Sequence, residues 1–181
     1  MNMYWLIILL PIGLIGISYL INVLVLIKER YLSQRATLTD EELIAMITSF
    51  EEKHQVEVVI ACGPTDREEN ADTLLASYNV GEDRVYWSAS PEVVLTSSRA
   101  LGVTPGKLVR IILAHEFGHK DTPDYMNSMY RLGLKHWSEM EKEAWTLGVR
   151  YISPLDYPLY HSVERQVTER MNVFYERYYA S

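Results

Sequence analysis

The chain has a single cysteine, Cys62, so no intrachain disulfide can form and a reducing compartment is expected. Past Arg35 it has no cluster of Lys and Arg, and its net charge is −7. Nucleic-acid binding needs a basic stripe that neutralises phosphates, so no nucleic-acid partner is expected. There is no internal repeat and no low-complexity tract. One further absence concerns charge: from Tyr4 to Ile27 not one side chain is charged. As a helix that run would be about 36 Å long at roughly 1.5 Å per residue, enough to cross a bilayer with some tilt. Met1-Asn2-Met3 carries no basic residue, and the apolar stretch is longer than a cleaved signal peptide needs. The expectation is therefore an uncleaved transmembrane anchor over residues 4–27, with Tyr4 and Trp5 at one interface. Lys28, Arg30 and Arg35 follow the run. Positive charge stays on the inner side, which predicts a single-pass cell-membrane protein with the rest of the chain cytoplasmic.

Residues 28–36 read as a juxtamembrane linker and 37–181 as one α+β domain, with a small antiparallel or mixed sheet beside helices. Thr39-Asp40-Glu41-Glu42 opens a helix whose apolar face is Leu43, Met46, Ile47 and Phe50. Val56–Ala61, Thr73–Val80 and Arg84–Ala89 read as strands, the last two joined across Gly81-Glu82-Asp83. Beyond Pro91 the chain reads mainly helical. A helix begins after Thr104, a residue suited to cap it, with Pro105 in the first turn. Leu108, Ile111, Ile112, Leu113, Ala114 and Phe117 make that helix apolar on most sides, hence buried.

The same helix carries His115-Glu116-Phe117-Gly118-His119. Histidines at i and i+4 stand only about 40° apart around a helix and about 6 Å apart along it, so both imidazoles reach one tetrahedral Zn²⁺. Glu116 is turned about 100° from His115, beside the metal, where a carboxylate can take a proton from water. A catalytic zinc needs a third protein ligand. The next helix begins near Ser138, and its apolar arc holds Met140, Trp145, Leu147, Gly148, Tyr151 and Ile152. Glu141 lies inside that arc, Glu143 on its margin and Glu139 outside it. A carboxylate aimed into a core needs a partner, which makes Glu141 the expected third ligand. Ser138-x-x-Glu141 also has capping-box spacing, and His136, His161 and Asp124 are the other candidates. The longer motif with a third histidine is absent, since Thr122 and Tyr125 occupy its Gly and His places.

With these residues in place the chain resembles the ImmA/IrrE family of metallopeptidases over about residues 38–175. The match is the run of helix, strands, HEFGH helix and a second helix reading Glu141-Lys142-Glu143-Ala144, with Pro154 ten residues after the alanine. The resemblance implies a zincin-like metallopeptidase domain in which His115, His119 and Glu141 bind Zn²⁺ and Glu116 is the general base. The family often has Asn where this chain has Trp145, and a Leu-His pair where it has Lys120-Asp121-Thr122-Pro123. Membrane-anchored gluzincins of the Ste24/HtpX type are similar through Glu-x-x-Ala after the first motif.

The expected function is a membrane-anchored zinc endopeptidase cleaving a cytoplasmic protein or peptide, a regulator being one such substrate, with an extended substrate pairing along Arg84–Ala89. Tyr125, Tyr130, His136, Tyr151 and His161 are open candidates for stabilising an oxyanion. The alternatives are a zincin-shaped binding protein without turnover and a quality-control protease for membrane proteins. At the C-terminus Val163, Val167, Met171 and Phe174 form a one-sided apolar stripe that docks onto the domain or onto a partner.

Overall fold

A computed structural model describes residues 3–61, 75–122 and 137–179, with side chains over 16–61, 75–122 and 139–171. The elements in order are α1 (Met3–Arg35), α2 (Asp40–His54), β1 (Val58–Ile60), β2 (Ala76–Asn79), β3 (Arg84–Trp87), α3 (Pro91–Leu101), α4 (Pro105–Asp121), α5 (Trp137–Gly148) and α6 (Tyr157–Tyr179). Two single 3₁₀ turns, Val149–Tyr151 and Pro154–Asp156, join α5 to α6. The fold is thus mostly helical with one three-stranded sheet, in the order β1-β3-β2. β1 runs parallel to β3 and β2 antiparallel to it.

Local chemistry accounts for most boundaries. α2 starts in a capping box: Thr39 accepts from the Glu42 N–H, and the Glu42 carboxylate accepts from the Thr39 N–H. α3 starts with Ser90 capping and Pro91 at the first position, and ends at Gly102, whose φ of 71° suits a residue without a side chain. Phe50 and Ile47 of α2, Val85 and Trp87 of β3, Val94 of α3, Leu108, Ile111 and Leu113 of α4, and Leu159 and Val163 of α6 meet in one core. Val163 is fully buried and Val167 packs beside it, whereas the Phe174 side chain lies outside those described.

The N-terminal helix requires a correction. Among the described residues no helix is long and apolar enough to cross a membrane. The transmembrane helix expected over 4–27 is therefore not supported, and neither is the single-pass membrane location with a cytoplasmic domain. The α+β zincin-like domain behind an anchor is replaced by the mostly helical fold above. The physical reason lies in where α1 ends. It continues without a break through Lys28, Glu29 and Arg30 to Arg35, and its C-terminal part belongs to the domain. Val25 and Leu26 pack on the core, Ser33 is fully buried, and Glu29 is buried against α4. Lys107 Nζ stands 2.8 Å from Glu29 and 3.1 Å from Asp156, tying α1, α4 and the second 3₁₀ turn together. The Thr104 hydroxyl, which suits a cap for α4, instead donates to Glu29 Oε2 at 2.9 Å.

Candidate metal centre

α4 is buried on every side around its motif, and each residue there addresses a different neighbour. His115, Glu116, Phe117 and His119 are all buried. With about 100° between successive residues, Phe117 turns toward α2 and stacks on Phe50 with ring centroids 5.8 Å apart. Glu116 turns toward the sheet, where its Oε2 accepts the backbone N–H of Tyr78 at 2.9 Å. The two histidines turn toward α5.

α4 and α5 cross with almost no side chain between them. A Cβ at Gly118 would collide with the Ala144 carbonyl, and one at Gly148 would collide with the Ala114 carbonyl. Ala114-x₃-Gly118 on one helix thus meets Ala144-x₃-Gly148 on the other. His115 and His119 each follow one of the small residues of α4, and Glu141 sits one turn before Ala144. The close approach therefore sets the carboxylate opposite both rings. His115 Nε2 is 3.1 Å from Glu141 Oε2, His119 Nε2 is 3.4 Å from Glu141 Oε1, and the two Nε2 atoms are 3.2 Å apart. One ligating atom from each residue falls within a common 4.8 Å.

These separations test the donor set. A tetrahedron with arms of about 2.0–2.1 Å has edges of about 3.3–3.4 Å, so nitrogen and oxygen atoms spaced as here fit around Zn²⁺. Two imidazoles and one carboxylate also suit that ion chemically. The same groups also shift one another's proton affinities. Burial pushes the Glu141 carboxyl up, but hydrogen bonds from His115 and His119 outweigh it and hold the group down at about 2. Burial pushes His119 down, and Glu141 overrides that and leaves it raised. Glu116 ends raised: burial dominates, the two histidines oppose it, and Glu141 adds to it. Among the described residues neither Glu116 nor Glu141 has a Lys or Arg ion-pair partner.

The remaining candidates are not brought to this point. Glu143 and Glu139 are exposed. Ser138 lies inside α5, which begins at Trp137, so Glu141 faces the histidines and not the helix start. His161 is largely exposed and pairs with Glu164 on its own helix at 2.8 Å. Tyr151 donates its hydroxyl to Asp121 at 2.6 Å, and Arg150 pairs with the same carboxylate. Asp124, Tyr125, Tyr130 and His136 lie outside the described residues.

The strand expected to receive a substrate is also corrected. β3 is the central strand, hydrogen-bonded on both sides, so Arg84–Trp87 has no open edge. Of the described strands, β2 is the one at the edge beside Glu116. Ser88 donates to Leu75, and antiparallel pairs alternate, so Ala76 and Tyr78 turn their backbone groups away from β3. The hairpin tip is tied to α4 by Lys120, which donates to the Asp83 carbonyl at 3.0 Å. Reasoning from the sequence passed over three contributors. The small residues of the α4–α5 crossing are visible there, four apart on both helices. A backbone N–H such as that of Tyr78 leaves no signature. Trp145, read as core, is buried and also lies flat on His115, with ring centroids 4.2 Å apart and 26° between planes.

No family model, curated protein or solved structure matches this chain, and nothing in these comparisons identifies an ImmA/IrrE-type protein.

Proposed function

We propose that the chain is a zinc-dependent peptidase that hydrolyses a protein or peptide substrate. The observation that carries this reading is the convergence of His115, His119 and Glu141 on one point, with Glu116 outside the triad but close enough to feel the charge of all three. His115, His119 and Glu141 are the residues that would hold the ion. When bound, Zn²⁺ supplies Lewis-acid chemistry, polarising the scissile carbonyl and acidifying water. Glu116 takes the proton of the attacking water as its oxygen bonds to the carbonyl carbon. It then delivers that proton to the amine nitrogen as the C–N bond breaks. The Tyr78 N–H holds the carboxylate of Glu116 at the rim of β2. An extended chain laid along β2 would use strand-type backbone hydrogen bonds and bring a peptide bond to the base.

The test compares wild type with Glu116→Gln, each loaded with zinc, on denatured casein, with new N-termini counted by mass spectrometry. Gln keeps the shape of Glu but cannot act as a base near neutrality. Zinc content should be unchanged while cleavage falls by about 10²-fold or more, the usual scale for a positioned general base. Undiminished cleavage by zinc-loaded Glu116→Gln would overturn the hydrolytic mechanism.

A further inference from the structure

Histidine ligands are ordinarily held in place by a hydrogen bond from the ring nitrogen that does not touch the metal. His115 departs from that pattern. Its Nε2 faces Glu141 and His119, while its Nδ1 is buried with no hydrogen-bond partner among the described residues. What the ring does have is a flat surface. Trp145 lies against it at 4.2 Å between centroids and 26° between planes, close to a parallel stack.

Trp145 is itself held firmly. It is 2% exposed, and it directly follows Ala144, whose carbonyl is pressed against Gly118 at the helix crossing. Its own carbonyl accepts the Tyr160 hydroxyl at 2.7 Å, and the Tyr160 ring meets the indole edge-on, 5.2 Å away at 66°. The indole therefore stands between Tyr160 and His115, with its place set by the close helix crossing at Gly118 of α4 and by the Tyr160 side chain of α6. A stack of this kind leaves the imidazole free to slide slightly but not to tip. Tipping is the motion that would swing Nε2 away from Glu141 and His119.

We propose that Trp145 is a positioning residue for the metal centre: its indole face fixes the plane of His115, in the role that a hydrogen bond to Nδ1 fills elsewhere. This rests on the reading of His115, His119 and Glu141 as zinc ligands. Trp145 acts through His115, whose ring it faces.

The experiment uses the full chain with Trp145→Phe and Trp145→Leu. Phe and Leu are both smaller than Trp and leave comparable space, but only Phe presents a flat π face. Zinc affinity is measured by competition with a chromophoric chelator, and the thermal midpoint of each metal-free variant reports folding. The Phe variant should hold zinc nearly as wild type does. The Leu variant should hold it about tenfold or more weakly, within the range for losing the partner that orients a metal ligand. The two metal-free midpoints should be alike. In metal-free protein the indole should also shift the His115 ring protons upfield, an effect kept with Phe and lost with Leu. Equal zinc affinity in the two variants, whether both strong or both weak, overturns the stacking role and leaves the metal reading intact. Wild type that takes up no zinc removes the metal reading and this proposal together.

Discussion

Glu29 and Glu116 are both glutamates on helices, both turned inward and almost equally hidden, at 5% and 7% exposure. Their carboxyls are nevertheless displaced in opposite directions. For Glu29 burial raises the pKa, but Lys107 together with Thr104 more than reverses it. For Glu116 burial again raises it, and two imidazoles and one backbone N–H do not reverse it. The first carboxylate has a full protein cation at 2.8 Å, and the second shares its surroundings with another carboxylate, Glu141. A buried carboxylate with its own lysine joins helices. Glu116 and Glu141 have no such cation among the described residues and lie among the imidazoles of His115 and His119 instead. The contrast sets an acid that has its own cation apart from one that has none among the described residues.

The largest effect that sharpens this contrast is on metal uptake. Glu141→Ala removes one of three donors and should abolish tight zinc binding, as His115→Ala and His119→Ala should. Glu143→Ala changes an exposed side chain two residues away and should bind as wild type. Glu29→Ala should also keep zinc, because its partners are Lys107 and Thr104. Equilibrium dialysis with zinc analysis checks all five. Zinc lost from Glu143→Ala but kept by Glu141→Ala would place the third donor on the other carboxylate.

The same contrast explains what could be read before any coordinates. The cluster of His115, His119 and Glu141 is legible because its signals are local and periodic. Two histidines four apart on an apolar helix share a face, and a carboxylate inside an apolar arc must find a partner. Glu141 lies 3.1 Å from His115 as that logic requires. Periodicity says nothing about what covers a helix, and there the expectation failed. The uncharged run of 4–27 reads as a lipid-crossing helix, yet the helix continues past it and docks on the domain through Val25, Leu26, Glu29 and Ser33. Glu29 and Ser33 are buried, while Ile17, Leu20, Ile21 and Leu24 are exposed. Thr104 stands at the N-cap of α4 as its sequence suggests, but its hydroxyl goes to Glu29, 75 residues upstream, a neighbour that does not show in a local window. The β2–Glu116 contact is likewise long-range, and it runs through a backbone N–H that any residue but proline supplies.

A smaller effect concerns stability. Glu29→Gln keeps the shape but loses the ion pair and weakens the bonds from Thr104. That should cost about 1–3 kcal/mol, the scale of hydrogen bonds to charged groups. In metal-free protein Glu116→Gln should cost nothing or stabilise, because it removes a carboxyl that burial disfavours in its charged form. Urea unfolding of the metal-free proteins at neutral pH gives both values. A destabilisation of Glu116→Gln as large as that of Glu29→Gln would erase the distinction between the two.

The smallest effect is the pH dependence of the α1 attachment, and its sign follows from the direction of the Glu29 shift. The folded protein holds the Glu29 proton more loosely than the unfolded chain does. Its contribution is therefore complete above the unfolded carboxyl pKa of about 4.3 and fades as pH falls through the lower folded value. Lys107 is raised despite the burial that opposes it, because Glu29 and Asp156 favour its charged form. Its share is complete below the unfolded lysine value of about 10.4 and is lost only as pH rises through the folded one. Between roughly pH 5 and 10 both contributions are in place. The gap in thermal midpoint between wild type and Glu29→Gln should then stay level from pH 7 to 5, at about 2–4 °C per kcal/mol for a chain of this size. Below about pH 4.3 it should close as wild-type Glu29 takes up its proton. Lys107 is 23% exposed, so added salt should narrow the plateau without moving the acid limb far. A gap that instead widened toward acid would mean that Glu29 is held protonated in the fold, and the contrast with Glu116 would collapse.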